Sequence, residues 1–253
     1  MGYGVVKCII IFISLSCIFI CVMAIYKNSP PIVTSGLILH LDASNPNSYS
    51  GTGNVWYDLS GQNAHGGITG SVTYVNNGAQ SYFNFATAGS SNYISSSLSQ
   101  SYLDITVVFN PDFTLNSNSS LVGLIGSSTD INNADTSLRF SGSNGTGPWT
   151  TINGVGNAND WAFPSTIYYI NGNPLSGSSV SLNSGWNIFG GPRTNTVSGS
   201  FKNPFAYFIG IEGFSAGVRD YQGKIAACYM YNRTLSSAEQ TQNYLALKGR
   251  FGL

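Results

Sequence analysis

The sequence predicts an all-β domain, an antiparallel sandwich with one short C-terminal helix, preceded by an N-terminal transmembrane helix. Three observations predict it. Short apolar segments recur between turn residues with no helices alternating among them, which is the pattern of antiparallel sheets and not of βαβ units. Ser236-Ser-Ala-Glu239 has capping-box spacing ahead of a helical run. The stretch Cys8 to Tyr26 carries no charge between Lys7 and Lys27.

Taken in order, residues 8–26 come first: at 1.5 Å rise per residue they span about 28 Å, enough to cross a hydrocarbon core. A cleaved signal peptide is the rival reading, with Val22-Met23-Ala24 offering small residues for a peptidase, but the apolar run is long for a signal and the retained anchor is favoured. One lysine flanks each end, so no membrane orientation follows. The anchor takes residues 1–27, a linker stiffened by Pro30 and Pro31 takes 28–35, and one folded domain takes 36–253.

Within that domain the clearest strand is Gly36 to Asp42, where Leu37, Leu39 and Leu41 alternate with Ile38, His40 and Asp42. Further strands are expected at Ser71 to Val75, Tyr82 to Phe85, Asp104 to Asn110, Leu121 to Gly126 and Ser137 to Phe140. The series continues at Thr166 to Ile170, Trp186 to Phe189, Phe205 to Ile211 and Gly223 to Tyr231. Asn77-Gly78, Asn144-Gly145, Asn153-Gly154 and Asn171-Gly172 tolerate positive φ and read as turns. The helix is expected to run from the Ser236 cap through Lys248, stop at Gly249, and bury Leu235, Tyr244 and Leu247.

Composition narrows the function. Of 253 residues only 8% are charged, ten basic against ten acidic, and no Lys or Arg occurs between Lys27 and Arg139. A nucleic-acid partner is excluded on electrostatic grounds, because neutralising phosphates takes clustered cations. Disorder is excluded by the 13% aromatic content. A freely diffusing domain usually carries about 25 to 35% charged surface, so this neutral chain reads as one packed against neighbouring subunits. Cys8, Cys17 and Cys21 lie in the apolar stretch, which leaves Cys228 without an intradomain partner and reads it as a buried structural thiol.

Particular motifs resemble the laminin-G-like jelly rolls of the concanavalin A-like lectin and glucanase superfamily. Gly36-Leu-Ile-Leu-His-Leu-Asp-Ala43, Asn45-Pro-Asn-Ser-Tyr49 and Trp56-Tyr-Asp-Leu-Ser-Gly61, with Asn63 and Gly66, are similar to the family's first strand and following turn. Tyr221-Gln-Gly-Lys-Ile-Ala-Ala227, Tyr231-Asn-Arg-Thr-Leu-Ser236, Glu239 and Asn243-Tyr244 are similar to its penultimate strand, corner and terminal helix. Trp186 and Gly190 fall where a late strand lies, while residues from about 112 to 183 match poorly. The resemblance implies a jelly roll. With the Gly-Arg-Phe-Gly-Leu ending, it also resembles proteins of bacteriophages and large DNA viruses, which implies a virion origin.

Candidate chemistry follows from few residues. Glycosidases of this superfamily use paired carboxylates, but Glu239 is committed to the helix cap and Glu212 has no acidic residue two positions away, so no catalytic pair is expected. His40 and His65 are expected to satisfy local hydrogen bonds and not to serve a triad. Asp130 to Asp135 lacks the glycine and distal glutamate of a calcium loop. Asp42, Asp58 and Asn63 are weak metal candidates, read in preference as tying down turn N–H groups, so no metal and no cofactor is expected. Glycan binding needs an aromatic face beside neutral hydrogen-bonding groups. Gly142 to Phe163 supplies them in Trp149, Asn153, Asn157, Asn159, Asp160 and Trp161, although both tryptophans could equally bury themselves under the loop. Trp56 and Trp186 read as core. Glycosylation sequons at Asn118, Asn144 and Asn232 do not fix a compartment.

The reading placed first is a non-enzymatic, single-pass membrane protein serving a particle as a structural or attachment component, such as a minor capsid protein of a large DNA virus. A glycan-binding module displayed from a membrane comes second. A glycoside hydrolase is a distant third.

Overall fold

In the computed structural model, residues 29–86, 92–100, 102–112, 121–126, 137–141, 151–152, 167–175, 180–192, 206–211 and 221–253 are described. The proposed anchor lies outside them. Among the described residues no helix is long and apolar enough to cross a membrane.

The strands in chain order begin with β1 (Leu37–Asp42), β2 (Val55–Trp56), β3 (Gly66–Thr69), β4 (Thr73–Val75), β5 (Tyr82–Phe85) and β6 (Tyr93–Ser97). Then come β7 (Asp104–Pro111), β8 (Leu121–Gly126), β9 (Ser137–Ser141), β10 (Thr151–Ile152) and β11 (Tyr168–Ile170). Last are β12 (Asn173–Leu175), β13 (Val180–Ser181), β14 (Asn187–Pro192), β15 (Ala206–Ile209) and β16 (Gly223–Tyr231), followed by helix α1 (Ser237–Phe251). Two antiparallel sheets result. One runs β12-β11-β14-β7-β16-β5-β4, the other β2-β3-β6-β15-β8-β9, and β10 pairs separately with β13. The all-β sandwich with a C-terminal helix is therefore the observed architecture.

β16 explains why the first sheet is buried on both faces. Its run Gly-Lys-Ile-Ala-Ala-Cys-Tyr-Met-Tyr is apolar almost throughout, as expected of a strand covered above and below. Ile225, Cys228 and Met230 enter the core between the sheets with Leu39, Leu41, Trp56, Phe83, Phe109 and Phe189. Ala226, Ala227, Tyr229 and Tyr231 pack on the other side with Leu235, just before α1, and with Leu247 and Phe251 of α1. On one edge β16 pairs with β7; on the other it pairs first with β5 and then with β1. Ile38, expected to face outward, is buried in the core, and the register of β1 against β16 shifts between Leu37 and Leu39. Trp56 is core as expected. Trp186 is only partly buried and lies against the helix, its ring 4.9 Å from Phe251.

The helix cap forms as the sequence predicts: Ser236 accepts from the Glu239 N–H, and the Glu239 carboxylate accepts from the Ser236 N–H at 2.9 Å. The Arg233 guanidinium grips Glu239 as well and holds its carboxyl down at about 2, with the capping bonds adding to the effect. Two expectations are corrected. The helix passes Gly249 and ends at Gly252, which takes the left-handed conformation (φ 71°) while its N–H bonds the Lys248 carbonyl. Its buried residues are Gln240, Asn243, Leu247 and Phe251, with Tyr244 left half-buried. Polar side chains belong on this face because β7 offers them partners: Asn243 donates to Thr106 Oγ1 and to the Tyr231 hydroxyl, and Gln240 to Asp104.

Candidate functional site

The acidic residues of the first turn are engaged with protein groups. Asp58 Oδ1 accepts from the N–H groups of His40 and Ser60, and Oδ2 from Ser60 Oγ and the Ala64 N–H. The Asp58 N–H in turn donates to His65 Nδ1 at 3.0 Å. Asn63 occupies a left-handed turn (φ 58°) beside them. Asp42 receives the Arg250 guanidinium at 2.6 and 2.9 Å and the Ser44 N–H at 2.9 Å. Its carboxylate thus clasps the end of α1 to β1. Among the described residues no group of three or more His, Cys, Asp or Glu is arranged to hold a metal ion. The His40 ring stacks obliquely on Tyr229 at 4.9 Å, and burial lowers its pKa against the opposing pull of Asp42 and Asp58. Cys228 is fully buried, and burial pushes its thiol pKa up, which leaves it unreactive.

Asp104, wholly buried at the start of β7, holds the corner before the helix. Its Oδ2 accepts from the Leu235 N–H at 2.9 Å, and Gln240 Nε2 lies 2.9 and 3.0 Å from the two carboxyl oxygens. Burial raises its pKa from 3.8 to about 7, against the lowering effect of those bonds and of Arg233. The folded state therefore binds more protons than the unfolded one between these values. Stability from this group is full below about pH 4 and is lost as pH rises through about 7. Urea unfolding of the wild type is expected to show this decline, on the order of a few kcal/mol. In Asp104→Asn the profile flattens, because the amide that replaces the carboxyl does not titrate in this range. Equal slopes in the two proteins would contradict this assignment.

A cleft of about 610 Å³ opens beside the hairpin formed by β11 and β12. Ile170 and Leu175 give it an apolar wall, Asn171, Asn173 and Asn183 give it amides, and Tyr244 reaches it from α1. Gly252 and Leu253 close the side nearest the helix terminus. Each element is placed by local chemistry. Asn171 (φ 50°) and Gly172 (φ 78°) form the two-residue turn that the Asn-Gly sequence favours. A Cβ at Gly172 would collide with the Tyr244 ring, so the glycine lets hairpin and helix touch. Asn171 is committed inward: Oδ1 accepts from the Ile188 N–H at 2.8 Å and Nδ2 donates to Asn187 Oδ1 at 3.1 Å. Asn187 is fully buried and fixes the opposite wall, accepting from the Asn183 N–H and donating to the carbonyls of Asn183 and Gly185.

What the cleft presents outward is different. Among the described residues, the Asn183 side-chain amide and the Tyr244 hydroxyl make no hydrogen bond, and Asn173 makes one long one, 3.4 Å to the Asn171 carbonyl. These groups can donate and accept without first breaking a protein bond. They are hidden in the sequence: Tyr244 sits at a spacing that fits the buried face of the helix, and Asn171-Gly172 reads only as a turn. The residues it favoured, Trp149, Asn153, Asn157, Asn159, Asp160 and Trp161, lie outside the described residues, as do Glu212 and 130–135.

No family model and no curated protein sequence matches the chain. Solved structures do. The sialidase of Trypanosoma rangeli in complex with sialic acid is 14% identical over 91% of this chain, with a TM-score of 0.54. The same enzyme as a covalent intermediate with 2,3-difluorosialic acid gives 13% identity over 91%, with a TM-score of 0.52. This likeness shows the fold alone. The chain covers 39% of the length of either sialidase chain. One expectation is corrected here: the non-enzymatic assignment. The matching structures are those of an enzyme, the sialidase, so this fold occurs within an enzyme's chain and gives no ground for the non-enzymatic assignment.

Proposed function

We propose that this protein binds glycans through the cleft between the β11–β12 hairpin and α1. The observation that carries the reading is the pairing of a half-exposed Tyr244 ring and an apolar wall with the Asn183 amide and the Tyr244 hydroxyl, which make no hydrogen bond among the described residues, and with an Asn173 amide held by one long bond. A pyranose has an apolar face that rests on an aromatic ring and a rim of hydroxyls that both donate and accept. Asn side chains match that rim because each offers a carbonyl acceptor and two donors. Further parts of the proposal are that the sandwich is a jelly roll of the concanavalin A-like kind and that residues 8–26 display it from a membrane. The linker fits this display, since Gln242 Nε2 donates to the Pro31 carbonyl and Asn243 Oδ1 accepts from the Val33 N–H, which ties the chain's entry to α1.

The test uses the full chain in a zwitterionic detergent on a broad array of immobilised glycans. Binding is expected in the wild type. Tyr244→Ala is expected to lose about tenfold or more in affinity through the missing ring contact. Asn183→Ala loses about three- to tenfold through one or two hydrogen bonds. Asn183→Ala should keep the wild-type unfolding midpoint, whereas Tyr244→Ala, which loses ring packing against the hairpin, is compared at a temperature where it is fully folded. A folded protein that binds nothing on the array would overturn the proposal.

A role as the attachment component of an assembled particle is the second reading. The low charge of the chain, 8% of its residues, favours it, because neutral surface suits packing against neighbouring subunits. Cross-linking of the membrane-embedded protein into defined partners would support that role.

A further inference from the structure

We propose a second binding site on the outer face of the first sheet, a shelf beyond the end of α1 that takes a sugar carrying a carboxylate. It stands independently of the cleft. Asn84 lies between Phe83 and Phe85, which both point into the core between the sheets, so its amide emerges on the opposite face, the one that carries α1. Thr73, Asn84, Lys224 and Asn110 pair in register across β4, β5, β16 and β7. Cross-strand partners share a face, so the four form one row, with neighbours about 5 Å apart. Helix α1 covers Val108, Ala226 and Ile188 on this face and ends at Phe251; the row follows beyond that end.

Two rings rise behind the row. Tyr82 and Trp186 meet edge to face, 5.8 Å between centroids, and Trp186 is backed by Phe251 at 4.9 Å. The Lys224 ammonium lies 5.1 Å from the Tyr82 centroid, at the foot of this wall. Both rings, both amides and the lysine are partly exposed. Among the described residues the Asn84 and Asn110 amides make no hydrogen bond and Lys224 no ion pair. Asp112, two residues on from Asn110, belongs to the next row, on the side away from the rings. One ligand chemistry fits this set. A carboxylate seeks a cation and N–H donors, which the ammonium and its two flanking amides present together. The sugar ring that bears it has an apolar face, for which Tyr82 and Trp186 supply an aromatic surface. Its hydroxyls donate as well as accept, and so suit the carbonyls of the same amides.

The experiment measures binding of the full chain, in zwitterionic detergent, to oligosaccharides ending in glucuronic acid and to the same chains ending in glucose. The acidic member is expected to bind about fivefold or more tightly in about 0.05 M salt, with the gap narrowing in about 0.5 M salt. Lys224→Met keeps an aliphatic stem beside Tyr82 and is expected to close the gap to within about twofold, whereas Lys224→Arg retains it. Asn110→Ala is expected to weaken the acidic member about three- to tenfold at an unchanged unfolding midpoint. Excess neutral oligosaccharide should leave the acidic member bound, because the two occupy different sites. Equal binding of both members, a preference that survives in Lys224→Met, or displacement by the neutral sugar would overturn the second site while leaving the cleft untouched. A polyglutamate peptide bound as tightly as the acidic sugar would overturn the sugar as its ligand. Binding of the acidic member alone, with no neutral glycan bound, would support the shelf and overturn the cleft reading.

Discussion

Arg250→Ala is expected to lower the unfolding free energy by about 3 kcal/mol, close to the cost of leaving one member of a largely buried ion pair alone. The guanidinium is 14% exposed and the Asp42 carboxylate 10%, and they meet through two hydrogen bonds of 2.6 and 2.9 Å. Arg250 also donates to the Ala79 carbonyl and to Ser44 Oγ. One side chain thus joins the last turn of α1 to β1 and to the loop before β5. For a domain of this size the loss corresponds to a fall of roughly 6 to 12 °C in Tm. Arg250→Lys should recover only part of it, because an ammonium cannot span both carboxylate oxygens and the two neighbours. Calorimetry of the three proteins checks this, and an unchanged midpoint in Arg250→Ala would show that the clasp is not what holds the helix terminus down.

The second large effect is expected at Asn187. Asn187→Ala removes three hydrogen bonds to the segment Asn183 to Gly185 and one from Asn171, which frees the turn that this buried amide holds in place. The expected cost is about 2 to 4 kcal/mol. Its functional consequence is larger, because the two walls of the cleft are tied to each other through this amide. Glycan affinity should fall below detection even at temperatures where the variant is still folded. Asn187→Asp, of nearly equal volume, should do the same by setting a carboxylate against the carbonyls of Asn183 and Gly185. Retained affinity in both variants, measured on folded protein, would separate the cleft from binding.

Much of the fold was legible in the sequence because burial on both faces leaves a strong mark. β16 shows it as a continuous apolar run and the helix start as a Ser-Glu box that forms as expected; in β1 the alternating leucines mark the strand but not its faces, since Ile38 is buried with Leu39 and Leu37 is not. The strands that escaped notice are those whose residues look like turn. β3 is Gly-Gly-Ile-Thr and β6 is Tyr-Ile-Ser-Ser-Ser. Gly66 reads as flexible, yet it is required by close packing: a Cβ there would lie 2.6 Å from Ile94 Cγ2 on the neighbouring strand. β12 contains Pro174, a residue suited to its place at the sheet edge but one that argues against a strand when read alone.

The candidate site was less legible, for a physical reason. Asn171 and Asn187 are structural, Asn183 is free, and nothing in their identity separates the three; only the direction of each amide does. Tyr244 falls at a spacing that fits the buried face of the helix, and it is the glycine at 172 that lets it sit half-exposed against the hairpin. Asp58 ties down turn N–H groups from residues close to it in sequence, whereas the Arg250 partner of Asp42 lies 208 positions away, beyond the reach of a local pattern.

The most direct measurement is photo-cross-linking of the full chain with a neutral oligosaccharide that carries a diazirine at its terminal sugar, followed by peptide mapping. Labels are expected in Ile170 to Leu175, at Asn183 and at Tyr244, suppressed by excess unlabelled sugar. Labels confined to the tryptophan-bearing segment between Gly142 and Phe163 would contradict the cleft as the binding site and return it to that loop.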